Sequence, residues 1–300
     1  VDLAAGLKKR GDWSDYPVGV IDVMRREGLA VDGVRAVYES NLPVGAGLSS
    51  SAAMEVATAV FLRELFGLDL DRMQVAKLCR RAENEFVGVK CGLLDQVSSV
   101  FGEVGRAVYL DCRDESVRTI PFPQGVELLI VNSGAHHELT GGEYNERREQ
   151  CLAAARGMGV ASLRDADAAM LAAADLPDAT RRRAAHVIGE MERVEAGVRA
   201  LEAGDVAGFG RLLSASHRSS MENFENSTPE LDVLVEVALL QEGVLGSRLT
   251  GGGFGGATVS LVRTEKVAVV RQAILLEYES RTGIKTEGFR CRLGAGAIPS

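Results

Sequence analysis

Apolar and polar residues follow two different periods along this chain, and each change of period marks an element. The run Val34–Glu39 predicts a short strand that feeds Asn41-Leu42-Pro43 and a glycine run. From Ser50 to Phe66 the spacing becomes helical, with Ala52, Val56 and Val60 on one face and Gly67 as the stop. A second helix is predicted over Asp71–Phe86, with Val75, Leu78, Cys79 and Ala82 inward, ending near Gly88. A third, shorter one covers Leu93–Phe101, and two strand-like runs follow, Ala107–Cys112 and Val126–Asn132.

The middle of the chain reads mostly as helix. Ser162-Leu-Arg-Asp165 has the pattern of a capping box, and Thr180–Ala203 predicts a long helix ending at Gly204. At Thr228-Pro229-Glu230 a cap, a proline at the first helical position and an acid in the first turn open another helix. Leu249–Val262 is a second glycine run flowing into a strand. Thr264–Thr282 predicts a helix, and Phe289–Leu293 a closing strand. Strands and helices mix without strict βαβ alternation, so the fold class is α+β.

Composition narrows the picture. With 300 residues, 46% of them hydrophobic, the chain can bury a large core and fits two domains better than one. No internal repeat, low-complexity tract or obvious linker marks the boundary. A net charge of -8 argues against a nucleic-acid or membrane-surface partner. Arg80-Arg81 and Arg181-Arg182-Arg183 read as solvated helix faces, with acids nearby. The five cysteines, Cys79, Cys91, Cys112, Cys151 and Cys291, are odd in number and none forms CxxC. Neither a disulfide framework nor a zinc site is expected, and a reducing, cytoplasmic setting fits. No apolar run reaches the length of a membrane span, and no signal peptide opens the chain, whose first residue is Val1.

Three features carry candidate chemistry. In Gly45-Ala-Gly-Leu-Ser-Ser-Ser51 the glycines permit close backbone approach, and the helix start behind them presents N–H groups suited to phosphate. A serine hydroxyl there can ligate Mg2+. The run is neither GxxxxGK[ST] nor GxGxxG, and by itself it reads equally as a glycine turn with a serine cap. Thr250-Gly-Gly-Gly-Phe-Gly-Gly256 is either a second ligand-approach loop or a tight turn. Glu83 and Asp95 flank the bend Gly88–Gly92, which could bring both carboxylates to one site. One could hold Mg2+ while the other orients or deprotonates a hydroxyl, as phosphoryl transfer requires; surface acids or helix caps are the plainer alternative. The four histidines make no metal pattern: His136 and His137 are adjacent, and His186 and His217 stand alone in helices, so all four read as structural. No GxSxG elbow supports a hydrolase triad of Ser49, His137 and Asp95.

In combination these stretches resemble a known family. PVGAGLSSSAAMEVAT (residues 43–58) resembles the second signature motif of the small-molecule kinases that group galactokinase, homoserine kinase, mevalonate kinase and phosphomevalonate kinase. SRLTGGGFGGATVSLV resembles their third. CRRAENEFVGVKCGLLDQVSSVFGEVGRAVYLDCR (79–113) and HHELTGGEYNERREQC (136–151) resemble the galactokinase branch, and the likeness runs from Trp13 to the last residues.

The resemblance implies a two-domain α+β kinase fold with ATP and sugar sites between the domains. Residues 1–112 would be the remainder of the N-terminal domain, with a strand at about 286–300 returning to it, and 113–285 the C-terminal domain. It implies ATP-dependent phosphorylation of D-galactose at C1, giving α-D-galactose 1-phosphate, in a monomer or weak homo-oligomer. A kinase for N-acetylgalactosamine or arabinose, or a non-catalytic ATP and sugar sensor, are the alternatives. Gly45, Ala46, Gly47, Leu48, Ser49, Ser50 and Ser51 would cradle the ATP phosphates, and Ser51 with Glu83 would hold Mg2+. Asp95 would face the attacking sugar hydroxyl, as base or as positioning group. Tyr144, Gly92, Gly252 and Gly253 would border the sugar, and Trp13 would lie near the adenine; a lone tryptophan is otherwise a core residue.

One departure stands out. Galactokinases open with a motif like GRVNLIGEHTDYN, which supplies an arginine near the transferred phosphate and groups that grip the sugar, and nothing in residues 1–40 matches it. The expectation is that the chain starts inside the first domain and that these 300 residues alone have little or no activity.

Overall fold

A computed structural model describes residues 6–42, 48–135 and 142–299, apart from the side chain of residue 144. The chain divides into two units, Val1–Ile120 with Leu293–Ser300, and Pro121–Arg292.

The first unit is built on four helices: α1 (Asp15–Arg26), α2 (Ser50–Phe66), α3 (Arg72–Arg81) and α4 (Leu94–Phe101). The strands β1 (Arg106–Asp111) and β2 (Ser116–Pro121) form a two-stranded sheet beside them. Apolar faces from each helix meet in one core, which includes Val20, Val23 and Met24 of α1, Val56, Ala59 and Leu62 of α2, Val75 and Cys79 of α3, and Val97 and Val100 of α4. The chain end is sewn onto this unit: Gly296 N–H donates to Gly102 O at 2.7 Å, and Ile298 enters the core. Glycine is required there, because a Cβ at residue 296 would lie 2.3 Å from Val100 O.

Local signals set the helix ends. Gly67 closes α2 in the left-handed region, φ 61°. Asp71 opens α3 with a reciprocal capping box, its carboxylate accepting from Gln74 N–H while the Gln74 side chain accepts from Asp71 N–H. The helix predicted over Asp71–Phe86 changes character at Ala82. Residues Ala82–Val87 form a π-turn, closed by Gly88 at φ 88°. The expected strand Val34–Glu39 does not form. That segment pairs with no strand among the described residues; it lies as irregular chain, with Val34 packed on the core and the Tyr38 hydroxyl 2.8 Å from Thr58 Oγ1.

The second unit opens with β3 (Val126–Asn132) and continues through α5 (Gly142–Gly157), α6 (Ala168–Ala173), α7 (Asp178–Glu202), α8 (Val206–Ser219) and α9 (Pro229–Leu239). The hairpin β4 (Val244–Thr250) and β5 (Ala257–Arg263), then α10 (Val267–Thr282) and β6 (Gly288–Cys291), complete it. The strands form an antiparallel sheet in the order β4-β5-β3-β6. Alternation puts Leu129 and Val131 of β3 against Leu234 and Val237 of α9 and Ile274 and Tyr278 of α10, where the Tyr278 hydroxyl donates to Ser133 O at 2.7 Å. α8 approaches β4 backbone to backbone, since a Cβ at Gly246 would meet Gly210 O at 1.9 Å.

Two expectations change here. Ser162–Asp165 is not a capping box: Ser162 Oγ accepts from Arg164 N–H and opens a single 3-10 turn, Leu163–Asp165. The last strand does not return to the first unit. β6 pairs with β3, from Leu128↔Cys291 to Val131↔Gly288, and only residues after Arg292 cross over. Charge helps to fix it there, because the Glu127 carboxylate on β3 accepts from Arg290 and Arg292 and is held down to about 2.

Candidate active site

The residues that sequence places in one site fall in two units, and each group has its own geometry. In the first unit they gather at the start of α2. Gly45, Ala46 and Gly47 lie outside the described residues; Leu48 to Ser51 do not. Ser49 precedes the helix in the left-handed region, φ 51°, unusual for a residue with a side chain. Among the described residues no side chain caps the helix, and no acid stands in its first turn, an arrangement that suits an anion at the helix start.

Beside this helix start sits a cluster of buried acids. Glu83, in the π-turn, is 6% exposed, and its main-chain oxygen accepts from Gly88 N–H and Val89 N–H at 2.9 and 3.0 Å. Its Oε2 accepts from Gln96 Nε2 at 2.9 Å and from the Cys91 thiol at 3.3 Å, and the Ser51 hydroxyl also holds the carboxyl. Glu55, one turn beyond Ser51 on α2, is fully buried, and its Oε2 accepts from the same Gln96 Nε2 at 3.2 Å. Burial, then the charge of Glu83, pushes Glu55 up to about 9. Burial raises Glu83 as well, with the Cys91, Ser51 and Gln96 hydrogen bonds opposing. Cys91 is pushed up to about 12, first by burial and then by Glu83, so it is a thiol donor and not a thiolate.

Asp95 is the exposed neighbour of this cluster. It stands in the first turn of α4, close enough for its charge to reach both Glu83 and Glu55. The bend Gly88–Gly92 therefore does bring Glu83 and Asp95 to one place, with Gly92 exposed on it. The donors present are oxygens, the Glu83 carboxylate and the Ser51 hydroxyl. Among the described residues no three His, Cys, Asp or Glu side chains gather as a self-sufficient metal cage. That set suits a hard divalent cation bound mainly through phosphate and water.

Trp13 is not a core residue. It is 58% exposed and meets the Tyr38 ring edge-on, with centroids 5.8 Å apart. Its loop is pinned by buried Asp15, whose two carboxylate oxygens accept from Arg10 N–H and Gly11 N–H at 2.8 and 2.7 Å.

In the second unit the glycine run is the turn of the β4–β5 hairpin, closed by Thr250↔Ala257. Gly251, Gly253, Phe254, Gly255 and Gly256 all have positive φ. Asn226 braces it: Phe254 N–H donates to Asn226 O at 2.6 Å, and Asn226 Nδ2 donates to Gly252 O at 3.0 Å. Arg147, anchored on Phe224 O at 2.8 Å, lies 5.7 Å from the Phe254 ring centroid. Tyr144 stands in the first turn of α5, and its side chain, like His136 and His137, lies outside the described residues. His186 and His217 are buried and bonded within the unit, to Ser219 Oγ at 3.0 Å and to Leu249 N–H at 3.3 Å.

Sequence reasoning missed Glu55, Gln96 and Asn226. A signal for Glu55 was present, since it is the one charged residue between Glu39 and Arg63 and it sits on the apolar face of α2.

An open helix start beside buried and exposed carboxylates, in a two-unit α+β chain, fits a phosphotransferase acting on a small molecule. Residues 15–103 match the GHMP kinases N terminal domain and residues 198–279 the GHMP kinases C terminal domain, and the chain belongs to this family. It is 41% identical over 291 residues to a galactokinase of Roseiflexus sp. (strain RS-1), covering 95% of this chain and 74% of that one. It is also similar to the crystal structure of Lactococcus lactis galactokinase complexed with galactose. The TM-score is 0.90 at 32% identity, over 99% of this chain and 79% of the other. A homoserine kinase from Cytophaga hutchinsonii shares the fold, with a TM-score of 0.61 at 15% identity, over 98% of this chain and 80% of that one. Among the described residues no helix is long and apolar enough to cross a membrane.

Proposed function

We propose that the chain transfers the γ-phosphoryl group of ATP to the C1 hydroxyl of D-galactose, giving α-D-galactose 1-phosphate and ADP. The observation that carries this is 41% identity to a galactokinase across 95% of the chain.

The residues divide the work as follows. The N–H groups at the start of α2, with Leu48 to Ser51, hold the phosphates by charge and hydrogen bonding. Ser51 and Glu83 would hold Mg2+, which would supply positive charge to offset that of the phosphates. Asp95 orients the attacking hydroxyl and offers an acceptor for its proton, which suits a carboxylate in contact with solvent. Trp13 contacts the adenine. Gly92, on the bend beside Asp95, borders the sugar on the first unit. Catalysis here is positioning and electrostatics, because phosphoryl transfer asks for little covalent chemistry from the protein.

The test is ADP release by the full-length gene product from ATP and Mg2+, with galactose, N-acetylgalactosamine and arabinose compared. Phosphorus NMR identifies the product. Galactose is expected to give the highest kcat/KM and a C1 phosphate. A preference for either other sugar, or nucleotide binding without turnover on any of them, would replace this reading.

A further inference from the structure

Two donors to Glu83, Gln96 and Cys91, have no role in the reaction just described, yet they help to determine where its carboxylate points. Glu83 sits in a π-turn whose main-chain oxygen already takes two N–H groups, so its backbone is fixed. Its side chain is fixed from the far side by Gln96, fully buried on α4, whose Nε2 spans Glu83 Oε2 and Glu55 Oε2 at 2.9 and 3.2 Å. Glu55 is fully buried on α2, in the next turn after Ser51, and its Oε1 has no hydrogen-bond partner among the described residues. One amide thus ties together three elements: α2, which carries Ser51; the π-turn, which carries Glu83; and α4, which carries Asp95.

We propose that Gln96 and Glu55 are positioning residues that aim the Glu83 carboxylate toward a nucleotide-bound divalent cation. This rests on the phosphotransfer reading above. The choice of side chain supports it. A lysine at position 96 would hold Glu83 equally firmly but would neutralise it and repel a cation. A neutral amide fixes the orientation and leaves the negative charge available. Glu55 supplies the second acceptor without which the amide could turn away. Partners of this kind usually matter about 10–100-fold to metal affinity.

The experiment measures binding of a non-hydrolysable ATP analogue to the full-length protein by calorimetry, once with Mn2+ and once with EDTA. The ratio of the two affinities is the gain due to metal. Gln96→Met keeps size and removes both donors; Glu55→Leu removes the acceptor; Glu55→Gln keeps an oxygen toward Gln96. The expected result is a metal gain reduced about tenfold or more in Gln96→Met and Glu55→Leu. EDTA affinity should be unchanged in both, and Glu55→Gln should keep most of the wild-type gain. If Gln96→Met kept the full gain, or lost equally with and without metal, the inference would fail while the phosphotransfer reading stood. If the wild-type protein gained nothing from Mn2+, both would fall.

Discussion

Asp95 and Gln96 are consecutive on α4 and meet different surroundings: Asp95 is exposed, and Gln96 is wholly buried with its amide 2.9 Å from Glu83. A helix advances about 100° per residue, so neighbours in sequence can serve the solvent side and the core side of one site. The exposed member is the one free to meet a substrate hydroxyl. Asp95→Asn is expected to lower kcat by about 10²–10⁴-fold, the usual worth of a positioned acid or base. Its melting temperature should stay close to wild type, because an exposed side chain carries little of the core. Steady-state kinetics and a thermal melt on the same preparation check both halves, and unchanged kcat would remove Asp95 from the reaction.

Trp13 gives a direct optical test of the nucleotide site, because it is the only tryptophan in the sequence. It is exposed, and its neighbour Tyr38 is held by Thr58, whose hydroxyl in turn donates to Met54 O at 2.8 Å. ATP with Mg2+ is expected to shift the tryptophan emission, and galactose alone is not. Trp13→Ala should raise KM for ATP about two- to tenfold, matching about 0.5–1.5 kcal/mol for an aromatic contact, and leave KM for galactose unchanged. A galactose-driven shift, or no shift with either ligand, would remove Trp13 from the nucleotide site.

The same residues show what a sequence discloses and what it withholds. The α2 helix is legible, since an apolar period interrupted by Glu55 starts near Ser50 and Gly67 supplies the stop. The short bend between Glu83 and Asp95 allows a pair, but spacing alone reads equally well as surface acids or helix caps, and the resemblance is what singles them out. Glu55 shows in the sequence only as a lone charge on an apolar face, because its partner Gln96 lies forty-one positions away and meets it only through the fold. The π-turn at Ala82–Val87 has no local signature distinct from a helix. Val34–Glu39 has strand propensity, but a strand needs a partner and none is supplied among the described residues. The edge chosen by β6 follows from pairing with β3 and from the Glu127 clamp, neither of which is local.

Glu55 makes a prediction about pH. Its carboxyl is pushed up to about 9 in the folded chain, against an ordinary value of 4.5. Between these values the folded state holds a proton that the unfolded state has released. Stability from this group is therefore fully present below pH 4.5 and is lost as pH rises toward 9. Glu55→Gln cannot ionise and removes this dependence. The variant should melt higher than wild type at neutral pH, by a margin that grows toward pH 9 and vanishes in acid. Melting curves across that range check it, and a margin that shrinks with rising pH would contradict the assigned protonation.

Gly253 and Gly251 lie in the same hairpin turn, with φ of 81° and 79°, yet substitution should affect them differently. A Cβ at Gly251 meets nothing within 4 Å, so Gly251→Ala carries only the cost of a left-handed backbone, about 1–2 kcal/mol. A Cβ at Gly253 would lie 2.2 Å from Asn226 O, the oxygen that accepts from Phe254 N–H. Gly253→Ala therefore adds an overpacking term of about 1–3 kcal/mol to the same backbone strain. The nearest obstacle is main chain, with the Asn226 side-chain Nδ2 and Cγ next at 2.6 and 2.9 Å, so Asn226→Ala in the same protein relieves only part of the clash. Urea midpoints of the two single variants and the double variant measure the difference. If Gly253→Ala proved as mild as Gly251→Ala, the close approach of Asn226 would not be what requires glycine there, and contact with a ligand would become the better explanation.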